Sequence, residues 1–290
     1  MASVSEFHGG AAPGARIRLP ASGPLEFRGK EGLRRKEKRA VIIDFHCHIG
    51  KSKVFYPRDS GGPREIVEVM DRRGIEKVVL FPASQLRKAP RYYEDVLQAA
   101  REFPDRFIPF FGANPKDENS CDMLEMVVEK YGFKGLKFHT YGTGVAANDP
   151  HWVYPLAEKA RELKICFMVH SDPYITGTPW QVGLLAMDFP DLPIVMAHMG
   201  FIDVACNDAA IKMAKRCPNL YLETCGVSSQ AKVAKAVREI GAARVLYGSD
   251  MPFHDPGFDI ARIQYADISE EEKKMVLGGS ARRLLDSLGR

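Results

Sequence analysis

The residues most able to do chemistry lie at the ends of apolar runs. Asp44-Phe45-His46-Cys47-His48 follows Ala40–Ile43, His170 follows Ile165–Val169, and His198 follows Pro193–Ala197. Lys137 lies in Gly135–Phe138, Glu223 follows Leu220–Leu222, and Asp250 ends Val245–Ser249. Imidazole nitrogens and a carboxylate oxygen are the donor set of a catalytic Zn²⁺, which keeps one position open for water. The same donors also suit Fe²⁺, Mn²⁺ or Co²⁺. Water on such a cation loses its proton near neutral pH and becomes a nucleophile.

Each piece alone has an ordinary structural reading. A lone His at the end of a run is usually hydrogen-bonded, Asp44 could be structural, and Asp250, with Pro252 following, could serve a turn or helix cap. The case for a metal rests on their shared placement. Side chains alternate along a strand, so Asp44, His46 and His48 are expected on one face and Val41, Ile43, Phe45 and Cys47 on the other. By the same count His170 goes with Cys166 and Met168, His198 with Ile194 and Met196, and Asp250 with Leu246 and Gly248.

The elements that must position these residues recur through the chain. Apolar runs of strand length are 40–45, 77–81, 107–111, 135–138, 165–169, 194–197, 220–222 and 245–247, separated by segments of helical period. Eight such units in about 250 residues predict a (β/α)8 TIM barrel, whose chemistry sits at the C-terminal ends of its strands. A doubly wound open sheet would bind its ligand at one switch point. Polar residues at five or six strand ends favour the closed barrel. Residues 1–39, rich in Gly, Pro and charge, read as a partly ordered N-terminal arm with a hairpin around 20–23. The barrel is expected over 40–290, and its first loop, 50–62, is long enough to serve as a lid.

Composition narrows the function classes. The 290 residues are 45% hydrophobic and 27% charged, as in a globular protein. No apolar stretch approaches a membrane span, and no secretory signal is expected at the N-terminus. The net charge of +4 comes from residues 28–39, which hold seven Lys/Arg against two Asp/Glu and leave the rest near −1. This basic run reads as a solvated linker. With no second basic stripe and no interleaved aromatics, nucleic-acid binding is not expected. The six cysteines form no Cys-x-x-Cys pair and read as reduced, mostly buried thiols of a cytoplasmic protein. Cys225, just past a strand end, could line the pocket.

Taken together, Asp44–His48, His170, His198, Gly248-Ser249-Asp250 and the tail Gly278-Gly279-Ser280-Ala281-Arg282-Arg283-Leu284 resemble the amidohydrolase superfamily. Within it, the chain is similar to the amidohydrolase-2, or amidohydrolase-related, family over about residues 40–288. That family includes metal-dependent hydrolases and decarboxylases related to aminocarboxymuconate-semialdehyde decarboxylase. The resemblance implies that His46, His48, His170 and Asp250 bind the metal, most simply one Zn²⁺. It also implies that His198 and Asp250 are catalytic, with His198 activating water and Asp250 shuttling a proton.

Lys137 keeps three readings. By the resemblance it is carboxylated and bridges two metals, with His198 a ligand of the second. As an ammonium it could instead pair with a substrate carboxylate, or neutralise Glu223. Glu223 and Asp44 are expected behind the ligands, and His139 and His254 in the pocket. Lys51, Lys53 and Arg58, in the first loop, suit an anionic small-molecule substrate. The leading expectation is a hydrolase acting on an ester, lactone or amide, and the alternative is a non-oxidative decarboxylase of an aromatic or unsaturated acid. Dimers are common in such families, so a homodimer is expected, with the arm available for its contacts.

Overall fold

The computed structural model describes residues 41–50, 61–83 and 93–289. The expected arm, the basic run and residues 51–60 of the expected lid loop, with Lys51, Lys53 and Arg58, lie outside these residues. Eight parallel strands run in chain order: β1 (Ile42–Ile49), β2 (Ile75–Pro82), β3 (Phe107–Ala113), β4 (Gly135–Phe138), β5 (Cys166–His170), β6 (Ile194–Ala197), β7 (Leu220–Glu223) and β8 (Val245–Leu246). Backbone hydrogen bonds rejoin the last strand to the first: Phe45 N to Tyr247 O at 2.9 Å, Asp250 N to His46 O at 2.9 Å, and His48 N to Met251 O at 2.7 Å. The sheet therefore closes as the (β/α)8 barrel expected.

The principal connecting helices are α1 (Pro63–Arg73), α2 (Glu94–Glu102), α3 (Ser120–Tyr131), α4 (Thr140–Thr143), α5 (Tyr154–Glu162), α6 (Pro179–Asp188), α7 (Val204–Arg216), α8 (Gln230–Ile240) and α9 (Pro256–Gln264). Two short segments, α10 (Glu270–Lys274) and α11 (Ser280–Ser287), complete the chain. Their ends follow local chemistry. Proline at the first position and a Thr178–Gln181 capping box start α6, and left-handed Gly74 and Gly132 end α1 and α3.

Two apolar clusters show which way each strand residue faces. One lies between sheet and helices and includes Cys47, Leu80, Leu136, Phe138, Phe167, Val169, Ile194, Met196, Leu222 and Tyr247. The other fills the barrel interior with Ile43, Phe45, Val79, Phe81, Phe110, Cys166, Met168, Val195, Ala197 and Leu246, joined by Ala281 and Leu284 of α11. Alternation holds on β5, where Cys166 and Met168 lead to His170. It also holds on β4 and β7, where outward Leu136 and Leu222 leave Lys137 and Glu223 facing in.

Two strands depart from simple alternation. Ile43 and Phe45 face the interior, against expectation, and Asp44 does not share the face of His46. The register explains this: Asp44 pairs with Val78 but Cys47 with Leu80, so three steps on β1 match two on β2. A bulge of this kind re-aims the side chains beyond it, and it turns His46 and His48 inward. On β6, Ile194 and Met196 pack outward, so a continued strand would aim His198 at the helices.

Candidate metal centre

Beyond the β1 bulge, His46 and His48 meet Asp250, which follows β8. His46 Nε2 lies 3.2 Å from His48 Nε2 and 3.3 Å from Asp250 Oδ1, and His48 Nε2 is 2.9 Å from the same oxygen. Separations of this size match the edges of a coordination polyhedron with metal–ligand bonds of about 2.0–2.2 Å. His46 is fully buried and His48 nearly so, while the Asp250 side chain keeps 15% of its exposure. Burial alone would raise the Asp250 carboxyl, but His46 and His48 outweigh it and hold it well below the carboxylate range. Burial, reinforced by Lys137, drives His46 well below its ordinary value, toward the neutral form that ligates metals.

The far nitrogen of each ligand histidine is already held. His46 Nδ1 is 2.9 Å from Glu223 Oε2, and His48 Nδ1 is 3.3 Å from the Pro82 carbonyl oxygen. A carboxylate or carbonyl behind the imidazole fixes its tautomer and frees the other nitrogen for a metal. Glu223 also accepts from the backbone N–H of His198 at 3.1 Å and of Cys225 at 2.5 Å. Gly248 makes room for it, since a Cβ there would lie 2.2 Å from Glu223 Oε1. Asp44 stands behind the site on the β1–β8 seam. It accepts from His46 N and Ser249 N at 3.0 Å and from Ser249 Oγ at 2.5 Å. Burial pushes its carboxyl up to about 8.

His170 stands apart from this trio. Its Nε2 bonds Asp172 Oδ2 at 2.9 Å, and its buried Nδ1 finds no hydrogen-bond partner among the described residues. It repeats the pattern of His46 and His48, one nitrogen held and one free, but joins neither compact group of potential ligand atoms among the described residues. Asp172 was not anticipated. Its signal was position alone, two residues beyond a candidate ligand. Burial raises it to about 6.

His198 lies 4.7 Å, ring centre to ring centre, from both His46 and His170. It reaches the interior through a left-handed turn: His198, Met199, Gly200 and Phe201 have φ of 63°, 50°, 86° and 63°. For residues other than glycine such backbone costs about 1–2 kcal/mol each, so surrounding bonds must hold it. Its Nδ1 is 2.9 Å from Cys225 Sγ. Burial pushes that thiol well above its usual range, so it remains protonated and donates. Burial and His46 lower the imidazole to about 3, so it is neutral and its Nδ1 can accept from the thiol, which also lies 3.4 Å from Glu223 Oε2. His46, His198, Glu223 and Cys225 form the second compact group, but much of its polar capacity is already spent on the bonds just described.

Lys137 is fully buried, with Nζ 5.1 Å from the Phe81 ring centre and no hydrogen-bond partner among the described residues. Burial lowers it to about 8 against the pull of Asp250 and Glu223. His139 stacks on His170 at 3.9 Å and accepts from Gly142 N through Nδ1 at 3.0 Å. Burial lowers it to about 3. His254 is exposed in the loop after β8. Aromatic side chains border the site: Phe253 is 5.0 Å from His48, Phe201 is 5.5 Å from His198, and Tyr141 and Tyr174 stack at 4.9 Å on the rim.

All six cysteines are free. Among the described residues no helix is long and apolar enough to cross a membrane.

Comparison with known proteins agrees with this architecture. The amidohydrolase family model matches residues 43–286. Gamma-resorcylate decarboxylase of Polaromonas sp. (strain JS666 / ATCC BAA-500) is 24% identical over 278 residues, spanning 75% of this chain and 85% of the relative. A TIM-barrel protein of Bordetella bronchiseptica superposes with a TM-score of 0.71 at 22% identity, covering 86% of this chain and 99% of its own. A dihydroxybenzoic acid decarboxylase of Polaromonas sp. JS666, with bound manganese and the inhibitor 2-nitroresorcinol, superposes with a TM-score of 0.67 at 20% identity, covering 85% and 97%.

These findings overturn the leading expectation of a hydrolase, because the named activities are decarboxylations. The motif encodes a place for a metal, and one such place serves several chemistries. The expected Zn²⁺ likewise reduces to a divalent metal, the ion in the Polaromonas structure being manganese.

Proposed function

The chain belongs to the amidohydrolase family, and on that premise we propose that it is a metal-dependent decarboxylase of an aromatic carboxylic acid. One observation carries the proposal: the curated relatives that align with three quarters of the chain are gamma-resorcylate decarboxylases. The substrate class is a hydroxybenzoate, a flat anion. Phe201, Phe253 and the Tyr141–Tyr174 stack suit such a ring, because aromatic faces pack on one another at these spacings.

His46 Nε2, His48 Nε2 and Asp250 Oδ1 hold the divalent cation. His170 is the fourth ligand through Nδ1, with Asp172 orienting it from behind. Bound there, the cation supplies Lewis acidity toward the oxygens of the acid substrate. Lys137 balances the buried carboxylates Asp250 and Glu223, which favours one metal per chain. His139 and His254 belong to the pocket wall and rim.

Decarboxylation replaces a carboxylate on a ring carbon with a proton. The carbon–carbon bond breaks, carbon dioxide leaves, and the bonding electron pair left on the ring carbon takes up a proton. Asp250 uses Oδ1 against the two imidazoles and has Oδ2 to carry that proton. A proton carried on Oδ2 can pass to the ring carbon as the carbon–carbon bond breaks, the transfer a general acid makes. His198, with Nδ1 occupied by Cys225, has Nε2 for the substrate or for the proton that restores Asp250.

The test is carbon dioxide release from a panel of hydroxybenzoates by Mn²⁺-loaded protein, run beside esters and lactones. Release from a hydroxybenzoate at one metal per chain is expected. Turnover of esters with no carbon dioxide from any acid would sink the proposal.

A further inference from the structure

Strand alternation on β6 would send His198 outward beside Met196, yet its ring lies inside, against His46 and His170. The reversal is made by the left-handed turn His198–Phe201, in which three residues other than glycine hold positive φ. We infer that Asn207 is a positioning residue for His198, clamping this turn so that the imidazole faces the substrate. The inference rests on the proposed role of His198 and names a residue that keeps it in place.

Asn207 is the fourth residue of α7 and is fully buried. Its Nδ2 donates to the carbonyl oxygens of Met199 at 2.8 Å and Phe201 at 2.7 Å. These two carbonyls flank Gly200, so one amide spans the strained part of the turn. Its Oδ1 accepts from Ser228 Oγ at 2.6 Å and, more weakly, from Ser228 N at 3.4 Å. The amide is thereby fixed to the β7–α8 loop, which also carries Cys225 and Gly226. A Cβ at Gly226 would lie 2.8 Å from the Phe201 ring, so that glycine leaves space for the turn's last side chain.

A second tether acts from β5. Ser171 Oγ donates to Ala197 O at 2.6 Å and accepts from Gly200 N at 2.8 Å. Gly200 has no room for a side chain, since a Cβ would lie 2.7 Å from Cys206. The turn is thus held from α7, β5 and the β7–α8 loop. Of these holders Asn207 is the one that hydrogen-bonds Phe201, where the chain leaves the left-handed region. A strained segment persists only when its surroundings over-determine it, and removing the amide donors releases two of those constraints at once.

The discriminating variant is Asn207→Asp, which keeps the shape and Oδ1 but replaces the double donor with an acceptor facing two carbonyls. Loaded with Zn²⁺, the variant is read by ¹⁵N-imidazole NMR, the His198 signal being assigned by its loss in His198→Asn. The His198 signal should shift or broaden while those of His46 and His48, and the metal content, stay unchanged. On a hydroxybenzoate turned over by the wild type, kcat should fall about 10²-fold with KM within about threefold, since a misplaced catalytic group costs roughly that much. Ser228→Ala, which leaves both carbonyl bonds in place, should move the same signal less.

An unchanged His198 signal with kcat within twofold in Asn207→Asp overturns the inference, as does equal disturbance of His46 and His48. Should Asn207→Asp fail to fold, Asn207→Ser, whose shorter side chain loses both donors to the turn, decides: a shift confined to His198 supports the clamp, and no shift overturns it. The NMR readout needs no turnover. A protein that shows the His198 shift but releases no carbon dioxide from any acid would refute the proposed function and leave the clamp standing.

Discussion

The two sides of the barrel mouth prepare their histidines differently. On the β1–β8 side, one bulge and the strand-to-strand seam bring His46, His48 and Asp250 to mutual distances of 2.9–3.3 Å. Backbone geometry does most of that work, and the groups behind it, Glu223, Asp44 and Pro82 O, are fixed in the wall. On the β5–β6 side, His170 and His198 lie ring against ring rather than nitrogen to nitrogen. They are aimed by side chains: Asp172, Cys225, Ser171 and Asn207. On the proposed reading the first side grips an ion, and on the second His170 completes that grip while His198 is aimed at the substrate. Disturbing the first should cost metal and activity together, and disturbing the second should cost activity while leaving much of the metal.

The largest effect belongs to the gripping side. His46→Ala removes one corner of the trio and should abolish both metal retention and turnover, checked by metal analysis and carbon dioxide release on one preparation. Next comes His198→Asn, expected to lower kcat by about 10²–10⁴-fold, the range of a lost acid–base group, with metal content unchanged. Asp172→Asn probes the seam between the sides, because it releases His170 Nε2 from its carboxylate. Metal affinity should weaken by about 10–100-fold, the usual cost of losing an outer-shell partner, measured by competition with a chelating dye. Metal affinity equal to wild type would place His170 wholly on the aiming side. Cys225→Ala should cost about tenfold in kcat, and Cys225→Ser should restore most of it by returning a donor to His198 Nδ1.

The smallest effect concerns Asp44 on the gripping side. Burial holds its carboxyl up at about 8, against 3.8 for the free side chain. Between those values the folded chain keeps a proton that the unfolded chain has lost, so stability falls as pH rises through this window. Asp44→Asn removes that slope. Denaturant unfolding of metal-loaded wild type and variant at pH 5 and 8 should show the variant losing less stability over the interval.

Much of this comparison was legible in the residues, unevenly. Eight apolar runs at regular spacing fixed the barrel because strand and helix periods differ so plainly. His46, His48 and Asp250 stood out because they end the first and the last of those runs. Lys137, His170 and Glu223 also face as alternation requires. The aiming side was less readable. Alternation assigned His198 to the face of Ile194 and Met196, and the ring is inside for another reason, a left-handed turn whose only local sequence signal is Gly200. The β1 bulge was equally hidden, because no residue type marks an extra step between Asp44 and Cys47. Asp172 and Asn207 act through distances that exist only once β5, β6 and α7 are assembled. The reaction itself was misassigned, because metal ligands record the ion and not the bond that breaks.

The most direct measurement is carbon dioxide release from carboxyl-labelled 2,6-dihydroxybenzoate by wild type and His198→Asn, each first shown to hold one Mn²⁺ per chain. The account predicts metal-dependent release by the wild type, lost on chelation and restored by the ion, and release from the variant at or below about one hundredth of that rate. Equal release from both proteins, or none from the metal-loaded wild type on this or any other hydroxybenzoate, would contradict it.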